Sequence, residues 1–176
     1  MRTMRRRRWL LGVVLVSLLA AACGRGDAPS SSGEGAVVAL PSSPTELPEV
    51  DVAGYEALLE TLRGTPVVVN VWASWCGPCR NEAPALAAAA QEYGDRVRFL
   101  GLDVLDTRPD ARAFIQEYGW TYPSLFDRTG AIRDSLGLVG QPFTVFYDAS
   151  GTVVDTYPGA IPADELRERV EALVQG

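Results

Sequence analysis

The sequence predicts an α/β sandwich with a mixed central sheet. Three observations predict it. Segments with strand and helix character follow one another as β-α-β-α and then β-β-α between residues 66 and 174. Two strand segments, residues 66–72 and 97–104, are nearly continuous apolar runs, the pattern of strands covered on both faces. Residues 143–147 and 152–157 are joined by Asp148-Ala149-Ser150-Gly151 and read as a hairpin.

Each element has its own warrant. Residues 47–52 are expected as a short edge strand. Residues 55–62 place Leu58, Leu59 and Leu62 at helical spacing, and Gly64 ends that helix. After the strand 66–72, residues 76–93 form an alanine-rich helix that Pro84 should kink. Strand 97–104 leads to a helix over 110–118, with Ala113, Phe114 and Ile115 facing inward and Gly119 as its stop. Residues 121–126 are extended, and 132–136 make one or two helical turns. Beyond the hairpin, Pro162 starts a closing helix over 164–174 with Leu166, Val170, Leu173 and Val174 apolar. No internal repeat is visible. From Leu47 roughly 130 residues remain, enough for one domain with a single core over 47–176.

The N-terminus reads as an export signal. Arg2 and Arg5 to Arg8 form a basic start, and residues 9–22 are apolar but too short for a comfortable membrane span. Leu19-Ala20-Ala21-Ala22-Cys23 resembles a bacterial lipobox, in which the cysteine is acylated and becomes the new N-terminus. The usual large aliphatic residue three places before the cysteine is Ala20 here, with Leu19 one place earlier. The alternative is an ordinary signal peptide cleaved near Ala22, leaving a spare thiol at Cys23. The arginine run also resembles, weakly, a twin-arginine signal. Residues 23–46 are rich in Gly, Ser, Pro and Ala and read as a flexible tether on a lipid anchor.

Loss of residues 1–22 removes five of sixteen arginines and no acid, leaving eleven arginines against 22 acidic residues. There is no lysine. An acidic domain without a basic face excludes nucleic acid as a natural partner. An exported chain meets an oxidising compartment, where a cysteine pair acting as a reductant must be kept reduced by a partner.

The chemistry is concentrated in Trp75-Cys76-Gly77-Pro78-Cys79, between a strand and a helix. That handover puts the first sulfur at a helix N-terminus, where free amides and the macrodipole favour thiolate. The second sulfur lies one turn further in, close enough to close a disulfide. A zinc site would need about four ligands. The chain has no histidine and only one further cysteine, Cys23, so no metal is expected. Covalent haem attachment needs a histidine where Arg80 stands. A structural disulfide remains the plainer alternative. Gly-Pro between the cysteines favours a redox pair that needs no cofactor.

Three segments carry a family resemblance. Residues 70–84, Asn-Val-Trp-Ala-Ser-Trp-Cys-Gly-Pro-Cys-Arg-Asn-Glu-Ala-Pro, resemble the active-site segment of TlpA/ResA-type proteins, which are membrane-anchored and thioredoxin-like. Residues 138–148 resemble their Gly-x-Pro-x-Thr signature, and residues 122–127 a weaker third. The likeness spans about residues 47–174. It implies a thioredoxin-like fold and a thiol-disulfide oxidoreductase acting on cysteines of other exported proteins.

The resemblance also implies roles. Cys76 is the expected nucleophile and Cys79 the resolving thiol. Thioredoxins proper keep an aspartate where this chain has Asn70, so Glu82 is the candidate to manage the Cys79 proton; its plainer reading is a helix-capping residue. Pro142 matches the cis-proline facing the cysteines and would turn the Gln141 backbone toward an extended client; a trans turn proline is the alternative. Trp75 is expected to form an apolar wall receiving the client, and Trp72 to be core.

The expected function is reductive, of the cytochrome c maturation type, with apocytochrome c among the possible clients and a membrane thiol-disulfide protein as electron partner. Its expected location is the extracytoplasmic side of the cell membrane, held by the lipid at Cys23. A disulfide-forming oxidase on the same scaffold, or a client-binding module without turnover, are the alternatives. The intact cysteine pair, and the absence of the histidine that copper-carrying relatives use, argue against the module.

Overall fold

The computed structural model describes residues 39–176. The expected signal segment 1–22, Cys23 and the tether as far as residue 38 lie outside the described residues. Among the described residues no helix is long and apolar enough to cross a membrane.

The elements run α1(Val52–Thr61), β1(Val67–Trp72), α2(Gly77–Tyr93), β2(Arg98–Val104), α3(Arg108–Tyr118), β3(Ser124–Asp127), α4(Ala131–Ser135), β4(Phe143–Tyr147), β5(Val153–Pro158) and α5(Ala163–Gln175). One five-stranded sheet has the order β3-β2-β1-β4-β5. β1 runs parallel to β2, and β2 to β3, whereas β4 is antiparallel to both β1 and β5. The expected mixed sheet flanked by helices is the observed one.

Strand alternation sorts the core onto two faces. Val67, Val69 and Val71 of β1 join Leu100, Leu102, Val104, Tyr55, Leu58 and Ile132 under α1 and α4. Val68 and Trp72 join Phe99, Phe126, Phe146 and the apolar faces of α2, α3 and α5. The same alternation turns Asn70 and Asp103 toward the α2 side. Trp72 is fully buried, with Phe114 at 4.6 Å and Trp120 edge-on at 4.9 Å between ring centroids, and is core as expected. Gly101 allows this packing: a Cβ there would meet Ser124 Oγ at 2.2 Å and Trp72 Nε1 at 2.9 Å.

Three expectations are corrected. Residues 47–52 make no edge strand; a single parallel bridge joins Glu49 to Phe126. Pro48 has no N–H to extend a ladder, and Asp51 already caps α1 by accepting from Gly54 N at 2.8 Å. α3 begins two residues early because Thr107 accepts from Asp110 N, and this rotates Ala111 inward and leaves Ala113 exposed. β3 starts only at Ser124, after Pro123. Gly119 closes α3 in the left-handed region at φ 63°, as a glycine stop should. Packing against the domain starts ahead of Leu47: Leu40 is half-buried, Pro41 is buried, and Arg112 donates to the Thr45 carbonyl at 2.9 Å.

Candidate active site

Cys76 is the N-cap of α2, and Gly77 and Pro78 open the helix. An extended Cys76 backbone followed at once by helix turns its side chain back over the free amides of the first turn. Its sulfur accepts from Cys79 N at 3.2 Å. Cys76 and Cys79 form a disulfide with Cα atoms 5.3 Å apart. Both are buried, Cys76 at 4% exposure and Cys79 at 1%. The Gln141–Pro142 bond is cis, and the Gln141 carbonyl oxygen lies 3.8 Å from Cys76 Sγ. Pro142 is buried beside it, and Gln141 Oε1 accepts from Arg133 at 3.4 Å.

Glu82 sits one helical turn beyond Cys79 on α2 and is 2% exposed. One carboxyl oxygen accepts from Asn70 Nδ2 at 2.7 Å, the other from Ile161 N at 2.8 Å. Burial pushes Glu82 up to about 7, with the Ile161 and Asn70 hydrogen bonds pulling the other way. A helix-capping glutamate would be solvated. This one is not.

A second clamp was missed by sequence reasoning. Asp106, in the loop after β2, accepts from the Ser74 amide and from Ser74 Oγ at 2.9 Å. The Leu105 carbonyl accepts from Trp75 Nε1 at 3.1 Å. Arg80 donates to the Ser74 carbonyl and pairs with Glu117, both at 3.1 Å, so it ties the cysteine loop to α3. Trp75 remains 58% exposed and borders an open groove of about 420 Å³ with Arg80, Asp106, Phe114 and Glu117. The available signal was an aspartate, Asp103, inside an otherwise apolar strand with a second three residues on.

Thus Trp75, Cys76, Cys79, Gln141 and Pro142 converge, and Glu82 occupies the same helix below them. Among the described residues no group of three or more Cys, Asp or Glu side chains could hold a metal ion. The AhpC/TSA family pattern matches residues 41–163. The chain belongs to the AhpC/TSA family.

This AhpC/TSA chain is 35% identical over 139 residues to the thiol:disulfide interchange protein DsbE of Allochromatium vinosum, covering 78% of the chain and 76% of that protein. It is 26% identical over 170 residues to the thiol-disulfide oxidoreductase ResA of Geobacillus thermodenitrificans, covering 96% and 98%. A secreted Mycobacterium tuberculosis disulfide oxidoreductase homologous to Escherichia coli DsbE superimposes with a TM-score of 0.60. Its identity is 32% over 64% of this chain and 85% of that one. The expected thioredoxin-like fold and thiol-disulfide oxidoreductase activity both hold for this AhpC/TSA chain.

Proposed function

We propose that the protein is an exported reductant that passes two electrons from the Cys76/Cys79 dithiol to disulfides of other extracytoplasmic proteins. The observation that carries this reading is the sulfur of Cys76 at the α2 N-cap, beside the Gln141 carbonyl and joined to Cys79. Cys76 thiolate attacks one sulfur of a client disulfide, forms the mixed disulfide and releases the other client sulfur as thiolate. Cys79 then attacks Cys76 Sγ, releasing the second client thiolate and closing the Cys76–Cys79 bond. Glu82, poised near 7, takes the Cys79 proton as that sulfur becomes nucleophilic. Trp75 and the groove beside it receive the client side chains around its cysteine, and the Gln141-Pro142 turn receives its backbone.

A client of the apocytochrome c class, with paired cysteines awaiting haem, fits this chemistry. Regeneration then needs a membrane thiol-disulfide protein as donor. Insulin reduction tests the reading: Cys76→Ser should abolish turnover and leave client binding intact. Wild-type protein that binds clients without turnover would instead be a binding module.

Anchoring follows from the lipobox-like Leu19 to Cys23 and its basic leader. The native protein should partition into detergent, and Cys23→Ala should move it to the soluble fraction. A mature N-terminus at any other residue, without acylation, contradicts the anchor.

A further inference from the structure

Asp103 has no part in the exchange just described. It is 0% exposed on β2, and neither carboxyl oxygen accepts a hydrogen bond. A buried carboxylate without donors is among the costliest groups a core can hold. A buried acid in its neutral form instead has an O–H to place and needs an acceptor.

The charged groups facing Asp103 are few. Asp106 lies in the loop after β2 and Arg108 on α3; Asp127 on β3 pairs with Val104, so it sits on the opposite face of the sheet and adds only its charge at a distance. Arg108 is occupied elsewhere, donating to the Leu47 carbonyl at 3.0 Å and to Glu49 at 3.3 Å, with its guanidinium 4.3 Å from the Phe126 ring centre. Asp127 accepts from the Ile132 and Arg133 amides at the start of α4. Asp106 accepts from Ser74 N, Ser74 Oγ and Thr107 N, three donors that suit a carboxylate. Between the two aspartates Leu105 adopts φ 54°, a left-handed conformation rare for leucine, and its carbonyl holds the Trp75 indole.

We infer that Asp103 is a positioning residue: as a neutral acid it donates a hydrogen bond to the Asp106 carboxylate, and through Ser74 this fixes the loop that presents Cys76. The two carboxyls share one proton and one negative charge, a charge-assisted bond stronger than a neutral one. Burial, then the Asp106 charge, push Asp103 up to about 9, so the proton stays in place over the working range. Above that pH two like charges face each other beneath Ser74, and the clamp loosens. The inference rests on Cys76 being the attacking sulfur.

Carbon-13 NMR of the oxidised full mature chain, labelled at the aspartate carboxyls, tests the proton directly. One neutral carboxyl signal should persist above pH 8, vanish in Asp103→Asn, and titrate at lower pH in Asp106→Asn. Client exchange supplies the second arm. Asp103→Asn, whose amide can still donate to Asp106, should retain most of the rate at pH 7 and lose the alkaline decline near pH 9. Asp103→Leu, with no donor, should be about tenfold slower. An ionised Asp103 at pH 7, or equal loss in Asn and Leu variants, overturns the inference. A neutral Asp103 signal with exchange that survives Cys76→Ser would instead overturn the nucleophile assignment.

Discussion

Cys79→Ser should trap clients on Cys76 and lower insulin turnover by roughly 10²-fold or more, about 2.7 kcal/mol or more in the barrier. The physical reason is the asymmetry of the pair. Cys76 caps α2 and takes an amide hydrogen bond from Cys79 N at 3.2 Å, and both that bond and the helix dipole favour its thiolate. Cys79 lies a turn inside the helix at 1% exposure, more deeply buried than Cys76 at 4%. Without its sulfur the mixed disulfide has no intramolecular route out. Non-reducing gels should show client adducts in Cys79→Ser and none in Cys76→Ser. If alkylation of the reduced protein at low pH labels Cys79 before Cys76, the roles are reversed.

Glu82→Gln should slow exchange near neutral pH by about 10²-fold, the size of a lost general base. Cysteine pKa values should fall at the same time, because a neutral amide removes a negative charge that disfavours nearby thiolate. The fold should tolerate the change. Gln Oε1 can keep the Ile161 amide, while its Nε2 can donate to Asn70 Oδ1, which has no partner in the native site. Glu82 also makes stability pH-dependent with a definite sign. Its folded value, about 7, exceeds the ordinary 4.5, so the folded chain holds a proton that the unfolded chain has released. The Glu82 contribution to stability is therefore full below about 4.5, declines as pH rises and levels off above 7, a loss on the order of 3 kcal/mol. Urea unfolding of the oxidised protein should show a smaller decline between pH 4.5 and 7 in Glu82→Gln than in wild type, the remainder coming from Asp103, whose folded value is about 9. Unchanged thiol titration together with an unchanged exchange rate would return Glu82 to a structural role.

Much of the fold was legible because its signals are local. Apolar runs marked β1 and β2, Gly119 marked the end of α3, and Asp148 to Gly151 marked the hairpin. What failed depends on partners distant in sequence. Whether residues 47–52 pair as a strand is decided by Pro48 meeting Phe126, and the rotation of α3 by the Thr107 cap. The cysteine site was legible from the spacing of Cys76 and Cys79 and from Pro142. The Asp106–Ser74 clamp was not, because the two residues are 32 positions apart and meet only when β1 and β2 lie side by side. Asp103 offered a cue, an acid in a buried strand, but its relation to Asp106 needs the turn at Leu105.

The equilibrium reduction potential of the Cys76/Cys79 pair tests the central claim most directly, by equilibrating the full mature chain with glutathione or dithiothreitol redox buffers. A reductant should poise near thioredoxin, about −270 mV, low enough to reduce client disulfides. A value near about −120 mV, that of strongly oxidising proteins on this scaffold, would contradict the reductive reading and make the protein a disulfide donor.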